Sequence, residues 1–468
     1  MTKFKRNFKI TLAYFIGNVF DKALAFLTIP IFTKLLNPTE YGIVGTYLSW
    51  VGVLSVVITL SLGNSIRTAV TDFPGEEKKY ISSVFFLGTL SFVIMTFIIV
   101  LVSLLIGFSN YLVLIICCCF HSYGSSIIMA VQWKNMMKLE YIKRTLLQSL
   151  PNLIVVALSI LLILSLKDNK FYGRIFAFTI VYGALSILLV VYYFAKGKCY
   201  LNKKYLLYSL SFSIPIIFHS LSSIVLAQSD RIMISMLYTT SETETGLYTL
   251  AYQFGMVPIV VMTTLENVWI PWFTKEMESN NSSKVKTMVI PYILVVAFVC
   301  VLLMLVSPEV LKIMSSSDYY SATIMIAPVI FGHFLMFVSS ILIDYEYYKK
   351  QTIIISISTL IAAIVNIVLN LILIPKFGGL AAAYTTAISY FVMFLLHFVI
   401  LKVKKAGLFD AKTFFIPILV LFFLMIVSIL LIQDAFTRWK IAFCFIILSF
   451  ITALLWAEKH LNNKKIKS

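Results

Sequence analysis

The chain has 468 residues, 60% of them hydrophobic and only 12% charged, with a mean hydropathy of +0.96 and a formal charge of +18. A soluble domain carries about 25% charged residues and needs a polar surface, so a large water-soluble fold is excluded. Apolar runs long enough to cross about 30 Å of hydrocarbon as a helix recur from end to end, without the period-two alternation of a membrane β-barrel. The basic residues lie between these runs, which argues against nucleic acid as a partner.

Fourteen transmembrane helices are expected, at 10–33, 42–63, 81–107, 111–131, 145–166, 171–195, 207–237, 246–271, 287–306, 320–343, 353–374, 379–401, 413–432 and 439–457. The opening MTKFKRNFKI is basic, but the apolar run behind it is too long for a cleavable signal and lacks a small-residue cleavage site. The first helix is therefore expected to be retained. Connections are short; two of the longest are RTAVTDFPGEEKKY at 67–80 and WKNMMKLEYIKR at 133–144.

An even number of spans puts both termini on one side. With both in the cytoplasm, most of the 38 Lys and Arg residues fall in cytoplasmic loops and tails, as the positive-inside rule requires. Lys34, Lys167, Lys170, Lys312, Lys376, Arg438 and Lys440 remain at the outer face. Lys22, Arg174 and Arg231 fall inside predicted helices. One missed span would scramble this bias, and it persists through all fourteen.

An internal repeat is expected. Asp21-Lys22, a short outer loop and EYGIVGTY in the first half match Asp230-Arg231, a short outer loop and ETGLYTLAY in the second. Gly42 and Gly246 are 204 residues apart. Six helices separate the two motifs, so the repeat is parallel, related by an axis along the membrane normal.

Several chemistries are absent from the sequence. No GxxxxGK[ST] phosphate loop is present, no outer loop is large enough for a catalytic domain, and no Cys/His spacing suggests a metal. The outer loops hold scattered Glu242, Glu244, Glu309 and Asp318. A carrier is expected rather than an enzyme, and no cofactor.

A charge in hydrocarbon costs about 2.5–3.5 kcal/mol on insertion scales, so embedded charges are the best candidates for a site. Lys22 and Arg231 are the leading substrate contacts, with Arg174 and Arg67 beside them. Arg suits bidentate phosphate binding and keeps its charge when desolvated. Snorkelling for Arg174 and a positive-inside anchor for Arg67 are the plainer readings. Asp21, Asp230 and Glu266 are candidate coupling groups or charge partners. Asn18, Asn64, Gln228, Asn366 and Asn370 are candidate cavity-lining amides, which also serve as ordinary interhelical hydrogen bonds. His219, His333 and His397 read as lone structural histidines, and Pro30, Pro215, Pro258 and Pro328 as helix interruptions.

The stretches GNVFDKALAFLTIPIFTKLLNPTEYGIVGTYLSW and SDRIMISMLYTTSETETGLYTLAYQF resemble the first helix pair and its counterpart in bacterial Wzx-type polysaccharide repeat-unit flippases. These are the O-antigen and capsule exporters of the multidrug/oligosaccharidyl-lipid/polysaccharide superfamily. The resemblance covers essentially the whole chain through loose motifs. It implies an all-α integral membrane protein with a MATE-like fold: two pseudo-symmetric six-helix bundles at 1–200 and 201–405, then helices 13 and 14 with a basic cytoplasmic tail at 406–468. It implies export of undecaprenyl-diphosphate-linked oligosaccharide from the inner to the outer leaflet of the cytoplasmic membrane. Lys22 and Arg231 would belong to a cationic lumen, and helices 13 and 14 to a groove for the prenyl tail.

Membrane lipids, and the polymerase and chain-length machinery, are the implied partners. Coupling to H+ or Na+ stays open beside drive by the membrane potential. A cation-coupled multidrug exporter and a lipid II flippase are the alternatives within the superfamily. A membrane-embedded glycan polymerase or ligase, and a structural scaffold, are alternatives of other classes.

Overall fold

The computed structural model of the chain describes residue 20 and residues 23–404 and 408–465, with side chains described except at Pro215, Phe218, His219 and 453–465. Among the described residues the regular structure is helical: α1 (Ile29–Leu35), α2 (Pro38–Val57), α3 (Ile66–Asp72), α4 (Glu77–Leu105), α5 (Leu112–Met137), α6 (Tyr141–Ser165), α7 (Phe171–Gly197), α8 (Lys203–Leu237), α9 (Ser241–Glu278), α10 (Ser282–Met314), α11 (Thr323–Tyr348), α12 (Thr352–Val403), α13 (Ala411–Leu430) and α14 (Ala435–Lys465). Eleven helical segments among the described residues are long and apolar enough to cross a membrane. α8 adds the expected span at 207–237, and α12 holds both 353–374 and 379–401.

Helix starts follow local chemistry. α2 opens on a capping box: the Asn37 side chain accepts from the Glu40 N–H at 2.8 Å, and Glu40 accepts from the Asn37 N–H, with Pro38 at the first helical position. Both are standard ways to satisfy orphan donors at a helix start. Asn202 caps α8 through the Tyr205 N–H. α12 breaks at Gly378, whose φ of +58° lies in the left-handed region that glycine enters at least cost.

Three expectations need correction. The span at 42–63 leaves the α-helix at Val57. Leu60 and Ser61 take positive φ and a 3-10 turn covers Leu62–Ser65. Ser61 and Ser65 hydroxyls donate to the Val56 and Leu62 carbonyls, the local bonding by which serine competes with helix. Asn64 thus sits in a turn. The expected loop at 67–80 begins as helix α3, and the one at 133–144 shrinks to Lys138–Glu140, because hydrogen bonds carry a helix past the point where its side chains become polar. Arg438, expected at the outer face, lies in the first turn of α14 and is 2% exposed.

The chain forms two compact units, Met1–Thr249 with Thr359–Ala382, and Leu250–Ser358 with Ala383–Ser468. In the first, α5 packs on α7 and α2, and α2 also packs on α8. An aromatic group ties the α3–α4 turn to α8: Phe73 meets Tyr80, Tyr205 and Tyr208 at 5.1–5.4 Å, while Tyr208 and Tyr205 donate to Asp72 and Glu76. In the second unit, α10 packs on α11, α13 and α14. Arg438 there makes a bidentate pair with Glu309 at 2.6 and 2.8 Å and donates to the Leu305 carbonyl. Outward on α4 and α13 stand Phe97, Leu101, Leu105, Leu419 and Phe423, an apolar surface suited to lipid.

Candidate transport site

α8 carries Gln228, Ser229, Asp230 and Arg231 on consecutive positions, so their side chains leave the helix about 100° apart. Asp230 is 1% exposed. It accepts from the Tyr248 hydroxyl at 2.5 Å and from Asn370 Nδ2 at 2.8 Å. Asn370 also donates to Asn366, which accepts from Ser229. Three helices, α8, α9 and the first half of α12, therefore meet on one carboxylate. Asn366 and Asn370 are fully buried, one turn apart on one helix face, which is why Asn370 reaches the carboxylate and Asn366 reaches both Asn370 and Ser229.

Arg231 is 6% exposed and points elsewhere. Its Nη1 donates to Gln228 Oε1 at 2.7 Å, and the same oxygen accepts from Ser49 of α2 at 3.2 Å. The guanidinium carbon lies 5.9 Å from the centre of the Tyr248 ring. Arg174, from α7, lies 3.7 Å over the Phe32 ring and 5.8 Å from that of Tyr41. Tyr41 thus lies beside Arg174, while Arg231 keeps to Gln228 and the Tyr248 ring.

Arg67 stands apart. It is exposed on α3, 4.4 Å over the Trp133 ring. Lys22, Asp21 and Asn18 lie outside the described residues. Glu266 belongs to the second unit, where Ser340 of α11 donates to it at 2.9 Å and Asp344 lies within its electrostatic reach. Trp269 stacks on Tyr292 beside them, with ring centres 4.3 Å apart. His333 packs edge-on against Tyr252. His397, expected alone, pairs with Glu346. Among the described residues no group of three or more His, Cys, Asp or Glu could hold a metal.

Tyr41, Tyr248 and Ser49 were not singled out from sequence. The signal is present for the tyrosines, since Tyr41 and Tyr248 lie inside the repeated motif beside its glycines. The motif also carries Glu40 and Glu244, again 204 positions apart. Glu40 accepts from the Lys170 N–H at the start of α7, and Glu244 from the Gly379 N–H where α12 resumes after its break. Each carboxylate therefore caps a helix N-terminus, where negative charge is favoured.

Many apolar helices with charged groups buried among them define a multi-pass helical membrane protein. Residues 8–277, more than half of the chain, match the family described as polysaccharide biosynthesis protein, and the chain belongs to that family. A comparison with curated proteins found no match. Solved structures are similar in fold. The lipid II flippase MurJ in an inward closed conformation superposes with a TM-score of 0.63 at 16% identity, covering 97% of this chain and 99% of that one. An inward-facing multidrug resistance MATE family transporter of the MOP superfamily gives 0.58 at 16%, covering 83% and 95%. A mutant of the Vibrio cholerae MATE transporter VcmN gives 0.55 at 12%, covering 86% and 97%.

Proposed function

We propose that this protein flips undecaprenyl-diphosphate-linked oligosaccharide repeat units from the inner to the outer leaflet of a bacterial cytoplasmic membrane, by alternating access, for surface polysaccharide assembly. The observation that carries the reading is the pair of arginines set inside the helices, Arg231 6% exposed and bonded to Gln228 and Arg174 over the Phe32 ring, in a chain of the polysaccharide biosynthesis family. A diphosphate does not cross hydrocarbon unaided, because its charge must be desolvated. Guanidinium groups that keep their proton when buried can replace its water. Lys22 would extend this cationic path, and Arg67, exposed over Trp133, would stand outside it as an anchor at the membrane face. With both termini cytoplasmic, an anion moving outward is driven by the potential, by about 2.3 kcal/mol per charge per 100 mV. Inward movement of H+ or Na+, with Asp21, Asp230 or Glu266 as carriers, would add to that drive. The apolar hairpin α13–α14 suits the prenyl tail, and the glycan polymerase and chain-length machinery would receive the product.

The test is the outer-leaflet appearance of labelled undecaprenyl-diphosphate oligosaccharide in reconstituted vesicles. Movement with wild type and its loss in Arg231→Ala and Arg174→Ala supports the reading. Movement of cationic drugs or of lipid II instead would move the protein to a multidrug exporter or a lipid II flippase.

A further inference from the structure

Glu346 on the last turn of α11 and His397 near the end of α12 are both fully buried, and His397 Nδ1 stands 2.9 Å from Glu346 Oε2. Among the described residues the far atoms, Glu346 Oε1 and His397 Nε2, have no hydrogen-bond partner. The proposed transport route makes no use of either residue. A single proton leaves this pair with no net charge, whether it rests on the imidazole as an ion pair or on the carboxyl as a neutral pair. Losing that proton leaves one negative charge in an apolar interior, and gaining a second leaves one positive charge. A buried uncompensated charge costs several kcal/mol, so each change of occupancy favours a packing that lets water reach the pair. Proton binding and the fit of α11 against the second half of α12 are therefore linked.

A small, mostly apolar cavity of about 10 Å³ is lined by Leu342 and Tyr345 of α11, by Phe398, Leu401 and Lys402 of α12, and by Leu408 and Phe409, a packing gap between the two helices rather than a water site. Its lining residues on α11 and α12 neighbour Glu346 and His397 along the same two helices. Among the described residues the charged groups at that end of the packed helices are Asp344 on α11 with Lys349 and Lys350 after it, Lys402 and Lys404 at the end of α12, Asp410 and Lys412 at the start of α13, and Lys275, Glu278, Lys286 and the Lys284–Glu276 pair where α9 meets α10. Lys404 is held by Gln351, and Glu346 takes no cation among them as a partner.

We propose that Glu346 and His397 form a proton-binding site, and that proton exchange at this pair couples proton movement to transport. The second half deepens the transport reading and rests on it; the first half does not.

Purified protein carrying 15N-labelled histidine, read by side-chain NMR from about pH 5 to about 9, tests the site without any substrate. The His397 signal, assigned by its loss in His397→Gln, is expected to pass between cationic and neutral forms and to titrate differently in Glu346→Gln. A His397 signal that keeps one form throughout, in wild type and in Glu346→Gln, overturns the site. If the single variants do not fold, Glu346→Gln/His397→Gln preserves a neutral hydrogen-bonded pair and supplies the assignment. Vesicle transport of the labelled lipid-linked glycan tests the coupling. The wild-type rate is expected to change several-fold with an imposed pH gradient and the double variant's rate to stay flat. An unchanged profile in the double variant overturns the coupling. If the wild type moves no lipid-linked glycan, the transport reading fails, and the NMR result still decides the proton site.

Discussion

Gly42 and Gly246 lie backbone against backbone where α2 and α9 begin. A Cβ built on Gly42 would stand 2.8 Å from the Gly246 nitrogen and overlap the Glu242 carbonyl; one on Gly246 would overlap the Pro38 carbonyl. Thr39 and Thr243 hydroxyls hydrogen-bond beside them at 2.8 Å. Every partner in this crossing is displaced from its counterpart by 204 positions, so repeat-equivalent residues touch each other. Such a self-matching contact is the mark of a two-fold relation, and here the local axis passes through the crossing itself. The first substitution to make is Gly42→Val. It should destabilise by about 1–3 kcal/mol through overpacking, read as a lower melting temperature in detergent. The paired Thr39→Cys/Thr243→Cys variant should cross-link on mild oxidation, visible as one band after cleavage between the cysteines.

Arg231→Ala and Arg174→Ala should each slow glycan export by about tenfold or more, since a charged hydrogen bond is worth about 1.5–3 kcal/mol. Arg67→Ala, exposed on α3, should change the rate little. Equal losses in all three would argue for a general loss of positive charge rather than a defined site.

Asp230→Asn keeps the shape but removes the charge that Tyr248 and Asn370 both serve. The cost should be about 1–3 kcal/mol, because one buried donor loses its acceptor. Thermal unfolding checks this, and Tyr248→Phe should give a smaller loss in the same measurement.

Arg438→Ala removes the bidentate pair to Glu309 and three carbonyl contacts that hold the turn between α13 and α14 to α10. Breaking one side of a buried pair is costly, and the partial exposure of Glu309, 27%, reduces the loss to about 1–3 kcal/mol. Limited proteolysis should cut faster near Leu431–Asp434 in the variant.

Glu140, in the α5–α6 turn, is held below the usual carboxylate range by its hydrogen bond from Lys134 and then by Lys143. A depressed carboxylate stabilises above its unfolded value and loses that contribution as pH falls through its folded value. Acidification below about 4.5 should therefore speed hydrogen exchange at Tyr141–Arg144. Lys134→Ala should show the same loosening at neutral pH.

The spans from 42 onward, their lipid-facing character and the repeat were legible in the sequence, because a bilayer imposes one length and one polarity on every crossing; most of the expected first span at 10–33 lies outside the described residues. Candidate charges were legible for the same reason: a rare Arg in an apolar run stands out. What the sequence did not decide is which of these charges meet. Asp230 and Arg231 are neighbours in the chain, yet their side chains diverge around α8, one to Asn370 and the other to Gln228. Arg174 meets Tyr41 of α2, and Arg231 reaches Ser49 of α2 through Gln228, only because α7 and α8 both pack on that helix. Glu346 and His397, 51 positions apart, become a pair only when α11 and α12 pack. Hydropathy is a property of each segment taken alone and sets the spans. Partnerships among buried polar groups depend on helix rotation and crossing, which are fixed by close packing between distant segments.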